Sequence, residues 1–366
     1  MRTVVLGASG NFGARIVRAL KDDPAIELIA ATRGSNGATD IGGLPATVLD
    51  IGVADFAIRL KGLRPQLVVH RAGPFQGQDY RVARAALAAR AHYLDLADAR
   101  DFVANFAGAN AKSAQAAGRL AICGASTLPA LSGAVIEALR EPLASVEEID
   151  IAIAPGQRAL RGAATLAAVF SYLGRPFPWR LDGRWQQAWG WQELRRVRFD
   201  VGSRWAAACD VPDLALLPRQ YPEVRTVTFR AALEVGVQHF ALWLAAAARR
   251  AGLNLSIERR VGLLNRMASW FDGLGSDRGA MRVSVVGGGA DGTRRRRTWH
   301  LTADKNHGPE IPCMASVLLA RRLARGQLSA RGAHPCTGFL RLADFESEFA
   351  HWAIRSRIEE GPAPLG

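Results

Sequence analysis

The chain has 366 residues, enough for two domains and a large buried core, and its 49% hydrophobic and 22% charged content excludes a disordered or fibrous protein. The net charge of +14 raises nucleic acid or an anionic surface as a partner. However, only Lys21, Lys61, Lys112 and Lys305 are lysines, and the arginines that make up the rest are dispersed, so no specific nucleic-acid binding is expected. The most apolar stretch, 229–248, is interrupted by Arg230, Glu234 and His239, which fits a buried helix or a strand plus helix better than a membrane span.

The first predicted strand is 3–6. It breaks at Gly7-Ala8-Ser9-Gly10-Asn11-Phe12-Gly13, after which Ile16, Val17 and Leu20 mark an amphipathic helix over 11–21. A strand, a glycine turn and a helix start set backbone N–H groups and the positive end of a helix against a pyrophosphate. Gly7 permits the tight turn, Gly10 leaves room for phosphate, and Gly13 lets helix and strand pack; Ser9, Asn11 and Phe12 complete the turn. The spacing is G-x-x-G-x-x-G, one residue off the commonest dinucleotide form. A ligand-free glycine turn has the same letters, and the strand before and helix after favour the nucleotide reading.

A second strand, 27–31, ends in Thr32-Arg33-Gly34-Ser35. NAD sites place an acid there against the ribose 2′-hydroxyl. None is present, and Arg33 with Ser35 suits the 2′-phosphate of NADP. The third strand, 46–49, is followed by Asp50, which either accepts from the adenine amino group or caps the next helix, 53–60. The fourth, 67–70, leads into Ala72-Gly73-Pro74. Ala72 and Gly73 are small enough for backbone to pass the nicotinamide ribose, and Pro74 fixes the turn; His70 reads as a buried strand residue rather than a base. After a helix over 79–89, a fifth strand, 93–96, brings Asp95 and Asp98 to the ligand end of the sheet. They serve there as catalytic acids, or as a loop bond and a helix cap. A helix over 105–117 and a sixth strand, 120–123, precede Ser126 and Thr127, which lie beside the nicotinamide carboxamide or cap the helix that follows. Strands alternating with helices of this length imply a parallel, doubly wound sheet with its ligand at the carboxyl ends of the strands.

After about residue 124 the rhythm changes to helices over 133–139 and 165–173 and strands over 146–154, 224–237, 281–286 and 297–303. The last two form a hairpin in which Arg294-Arg295-Arg296-Arg297 protects a strand edge. A tryptophan-rich stretch, 176–205, holds Trp191 as an apolar wall of the substrate site and Arg196 as an anchor for a substrate carboxylate, unless these tryptophans form the domain's own core. Pro312 opens a helix over 313–323, with Gly326 past its end. The fold class is therefore α/β: an N-terminal Rossmann-type parallel sheet with a second, α+β mixed-sheet domain. The expected division is a dinucleotide-binding domain over 1–127, a substrate and dimerisation domain over 128–308, a helical segment over 309–354 returning to the first domain, and a flexible tail over 355–366. Cys123, Cys209, Cys313 and Cys336 are far apart and form no C-x-x-C pair, so neither a metal nor a disulfide framework is expected, and a cytoplasmic location fits.

The glycine turn, the Ala72-Gly73-Pro74-Phe75 turn, Tyr93-Leu94-Asp95-Leu96-Ala97-Asp98 and Ala125-Ser126-Thr127-Leu128-Pro129 resemble the saccharopine dehydrogenase-like NADP-binding family. The Gly308-Pro309-Glu310-Ile311-Pro312 helix entry and 332–338 are similar to its C-terminal part. The resemblance implies NADP(H) and hydride transfer to or from a small amino-acid-derived or related substrate; a homodimer without membrane contact is expected besides. A nucleotide-binding sensor or scaffold without turnover is the alternative.

Overall fold

The structure is a computed structural model that describes residues 1–34, 37–159, 162–253 and 261–363. It divides into two compact units, one of Met1–Leu131 with Glu310–Leu340, the other of Ser132–Pro309 with Arg341–Gly366.

The first unit is a doubly wound sheet. Strands β1 (Arg2–Leu6), β2 (Glu27–Thr32), β4 (Leu44–Val48), β5 (Leu67–His70), β6 (His92–Asp95), β7 (Leu120–Cys123) and β16 (Gly332–Pro335) are parallel, and the short β3 (Asp40–Ile41) runs antiparallel to β4. Their order is β16-β7-β6-β5-β1-β2-β4-β3. Every residue of β5, β6 and β7 is buried, as strands covered on both faces require. Helices α1 (Asn11–Leu20), α2 (Phe56–Gly62), α3 (Arg81–Ala88), α4 (Arg100–Ala117) and α10 (Ile311–Ala324) complete the unit. Helix α1 buries Gly13, Ile16, Val17 and Leu20, one face at helical spacing. Helix α4 ends at Gly118 in the left-handed conformation (φ 63°), which glycine adopts without a Cβ penalty. Helix α10 packs on α1, and the half-buried Arg15–Glu310 ion pair (2.8 Å) pins its start.

The second unit is built on a mixed sheet of β8 (Glu148–Ala154), β9 (Pro176–Leu181), β10 (Arg184–Trp189), β13 (Thr226–Ala231), β14 (Gly279–Gly288), β15 (Arg294–Ala303) and β17 (Ile354–Pro362), ordered β10-β9-β13-β8-β14-β15-β17. A hairpin of β11 (Arg195–Phe199) and β12 (Gly202–Ala208) joins through β12 to β13. The helices are α5 (Ser132–Arg140), α6 (Ala163–Tyr172), α7 (Asp213–Gln220), α8 (Gly236–Arg250), α9 (Val261–Ser269) and α11 (Leu342–Phe349). Alternation sorts the sheet into two faces. Val283, Val285, Trp299, Leu301 and Ile151 are buried on the face that α5 packs against, while Asp150, Arg230, Arg282, Ser284, Thr298 and His300 lie on the other.

Four expectations are corrected. The stretch 224–237 is not one strand but β13 followed by a turn and the start of α8, because the chain leaves the sheet after Ala231. The described part of the expected tail over 355–366 is a strand: Ile354–Pro362 pairs with β15 along nine positions, Ala303↔Ile354 to Arg295↔Pro362, and residues 364–366 lie outside the described residues. That pairing makes β15 an interior strand, so its arginine run protects no edge. Arg294 pairs with Glu147 and Glu148, Arg295 with Asp291 and Arg297 with Glu360, which leaves Arg296. The returning segment is also shorter than expected, since residues from Arg341 onward belong to the second unit.

Candidate functional site

Strand order places the glycine turn. From β1 the sheet continues one way through β2 and β4 and the other way through β5, β6 and β7. The turn after β1 therefore opens at the switch point, where open α/β sheets leave a crevice at the carboxyl ends of their strands. Gly7 sits at φ +76°, and a Cβ on it would lie 2.9 Å from the Ala72 backbone nitrogen. A Cβ on Gly13 would lie 2.1 Å from the Gly7 carbonyl oxygen. The protein's own backbone thus demands both glycines. Gly10 is different: it is exposed, and its Cβ would meet only the Gly7 carbonyl at 3.3 Å. Gly10 is also the N-cap of α1, with extended backbone and no side chain capping the helix, so the first-turn N–H groups face a space that a side chain at Gly10 would fill.

The neighbouring loops close around this space. The Ser9 and Thr32 hydroxyls bond at 3.1 Å and tie the turn to the end of β2. Arg33 follows, exposed, whereas Ser35 lies outside the described residues. Asp50 does not cap α2, which starts at Phe56 after Asp55; its Oδ1 accepts from the Gly52 amide (2.9 Å) and shapes the turn beyond β4. Half-buried Ala72 and Gly73 and exposed Pro74 follow β5. The Gln78 amide donates to the carbonyls of Ala72 (2.8 Å) and Pro74 (2.6 Å) and holds that turn. Ser126 is half-buried just after β7.

No family model matches the chain, and no curated protein matches it in sequence. Solved structures do match. Apo saccharopine dehydrogenase (L-Glu forming) from Saccharomyces cerevisiae aligns over 98% of this chain and 99% of its own, with a TM-score of 0.67 at 12% identity. The chain has a saccharopine dehydrogenase-like fold. A meso-DAPDH mutant with DAP, from Clostridium tetani, aligns over 96% and 98% with a TM-score of 0.50 at 11% identity.

Within this saccharopine dehydrogenase-like fold the two expected acids part company. Asp95 is fully buried: its Oδ1 accepts from the amides of Gly124 (2.7 Å) and Ala97 (3.0 Å), and its Oδ2 has no hydrogen-bond partner. Burial pushes its carboxyl up to about 6 against the pull of those amides. It ties the end of β6 to the loop after β7, the loop-bond role. His70 is buried beside it, with Nδ1 on the Tyr93 hydroxyl at 2.9 Å, and burial holds its imidazole neutral down to about 3. Asp98 stays exposed, accepts from Gln76 (3.3 Å), and is not the cap of α4, whose N-cap is Ala99.

Arg71 stands outside the expected set. Its guanidinium lies 4.6 Å over the Phe12 ring, and the nearest atom to a Cβ on Gly73 would be its Nη1, at 3.1 Å. Burial lowers its affinity for its proton and Asp98 offsets only part of that, so a partly desolvated cation looks onto the glycine turn. No motif marks Arg71; the only signal was its position, one residue past the end of a central strand.

The two substrate residues expected in the second unit are not brought together. Trp191 is 2% exposed and packs its ring on His239 (5.4 Å between centroids), so it belongs to the core of its own unit and cannot wall a ligand site. Arg196 is exposed on β11. All four cysteines are buried and none forms a disulfide, and no cluster of metal-ligating side chains occurs among the described residues.

Proposed function

We propose that this protein is an NADP(H)-dependent oxidoreductase acting on a small amino-acid-like substrate. The observation that carries the reading is Gly10, an exposed glycine at the start of a helix at the sheet's switch point, with only the Gly7 carbonyl, at 3.3 Å, beside the place a Cβ would take. Backbone N–H groups of the Gly7–Gly13 turn would bind the pyrophosphate, Arg33 the 2′-phosphate, Asp50 the adenine side, and Ala72, Gly73, Pro74 and Ser126 the nicotinamide half. NADP(H), when bound, supplies or takes up the hydride. Arg71 would add positive charge beside the phosphates, and Asp98, the exposed acid of the pair, would hold or release a proton at its carboxylate. The substrate class follows the likeness to structures named for saccharopine and DAP enzymes. A nucleotide-binding sensor without turnover is the second reading, favoured by the burial of Asp95 and His70.

Calorimetric titration tests cofactor choice. NADPH should bind roughly ten- to a hundred-fold more tightly than NADH, the worth of one charge-assisted bidentate pair. Arg33→Asp should remove or invert the preference; equal affinities in the unaltered protein would refute it. Reduction of NADP⁺ with a panel of amino acids then separates enzyme from sensor.

A further inference from the structure

The second unit carries a site that the cofactor reading does not use. On the polar face of its sheet, under β11, is a cavity of about 240 Å³. Six of its lining residues are arginines: Arg195, Arg196 and Arg198 from β11, Arg282 from β14, Arg296 from β15 and Arg357 from β17. Against them stand two carboxylates, Asp200 and Glu359, and both are engaged by Arg357, at 2.7 and 2.8 Å. Beneath the floor, half-buried Asp150 serves Arg230 and Arg282 (3.1 Å each) and the more distant Arg195 (4.0 Å). Burial would push the Asp150 carboxyl up, yet Arg230, the Thr228 hydroxyl and Arg282 together hold it below the usual range.

The side chains of Arg196, Arg198 and Arg296 make no hydrogen bond or salt bridge among the described residues, although the charge of Arg198 acts on Glu359. Arg296 is partly buried and its Nε has no partner; burial, Arg282 and Arg195 disfavour its charge, and Glu148 and Asp150 offset only part of that. The neighbouring His300 is 7% exposed and sits between the two carboxylates, Nδ1 3.5 Å from Asp200 and Nε2 3.6 Å from Glu359. The carboxylates around this hollow offset only part of the guanidinium charge gathered there, and a surplus of cations with unused donors is costly unless an anion completes it. An ordinary solvated arginine face would be convex and would let its cations spread apart.

We propose that this basin binds a compact polyanion, a small molecule with at least two carboxylate or phosphate groups. The guanidinium fork matches both oxyanions. Size argues for a small ligand, since drug-sized molecules occupy cavities of about 300–1,000 Å³. Asp200 and Glu359 in the lining disfavour a nucleic-acid backbone, which would have to lay its phosphates past them.

The experiment is calorimetric titration of the full chain with citrate and, separately, with inorganic pyrophosphate, at constant ionic strength and without nicotinamide nucleotide. Running it in parallel on Gly10→Val protein keeps the glycine turn out of the signal. At least one anion should bind saturably in both backgrounds, and whichever binds more tightly identifies the carboxylate or the phosphate class. Arg196→Ala with Arg198→Ala should weaken binding by roughly tenfold or more for each guanidinium removed, while Arg184→Ala, an exposed arginine on β10 outside the basin, leaves it unchanged. The pair Arg196→Lys with Arg198→Lys keeps the charge without the fork and should fall between, which guards against misreading a folding defect in the alanine pair. The proposal fails if neither anion saturates, if the alanine pair binds as the parent does, if Arg184→Ala weakens binding equally, or if duplex DNA binds where both small anions do not.

Discussion

Gly10 and Gly13 are three positions apart, yet substitutions there should fail in different ways. Gly13 has backbone where its Cβ would stand, so Gly13→Ala forces β1 and α1 apart and should cost about 1–3 kcal/mol of stability, read by denaturant unfolding. Gly10→Val projects into the exposed hollow beside the helix start. It should cost no more than about 1 kcal/mol of stability, the loss of a favourable N-cap residue, and lower NADPH affinity by at least roughly a hundredfold, equivalent to about two charge-assisted hydrogen bonds. Retained affinity in Gly10→Val would mean that the turn has no ligand role. At this scale most of the turn was legible, because a glycine between a strand and a helix has few other uses. Arg71 was not, since one arginine among many becomes notable only when Phe12 is found beneath it.

Elements are held by pairings that sequence spacing does not reveal. Arg15 on α1 and Glu310 before α10 are 295 positions apart and retain only 12% and 11% side-chain exposure. Glu310→Gln should destabilise the protein by about 1.5–3 kcal/mol, because Arg15 keeps its charge and is left without a carboxylate acceptor. The apolar pair Arg15→Met with Glu310→Leu should recover most of that difference, since a buried pair contributes little net stability once desolvation is counted. A double variant worse than the single one would show that the charges do more than satisfy each other. Strand β17 makes the same point. Its Arg355, Arg357, Glu359 and Glu360 carry no hydrophobic alternation, so periodicity reads a tail. It becomes a strand because β15 offers it complementary charge, Arg297 opposite Glu360 and His300 between Asp200 and Glu359.

Over the whole molecule, buried titratable groups set the response to acid. Burial holds His70 near 3 and His92 and His239 near 4, all below the ordinary imidazole value. The unfolded chain therefore takes up these protons first, so their contribution is complete above the unfolded value and is lost as pH falls from about 6.5 towards 4. Burial raises Asp95 to about 6 and Asp213 to about 7, with the opposite sign: their contribution is present below about 4 and is lost as pH rises to 6 or 7. Three imidazoles outweigh two carboxyls, so stability should fall on acidification between about pH 6 and 4.5. Asp213→Asn, which keeps an acceptor for the Ser132 hydroxyl, removes one opposing group and should steepen that fall. Denaturant unfolding across this range checks it, and a flat profile in the parent protein would contradict it. A further test is packing: Trp299, fully buried on the helix-covered face of the second sheet, should cost about 3–5 kcal/mol when replaced by alanine.

By itself the sequence determined the doubly wound first unit, the place of the glycine turn and the change to a mixed second unit. Each of these rests on local patterns: apolar runs, helical spacing, and glycines that only a few backbone geometries require. Tertiary structure alone decided the rest. It brought β16 beside β7 and β17 beside β15, and it buried Asp95 while leaving Asp98 at the surface three residues on. It also moved Trp191 into the core and gathered six arginines from four strands around one hollow. Burial and pairing between residues far apart in the chain are properties of the assembled sheet, and they set charge, desolvation and access at positions whose own letters are ordinary.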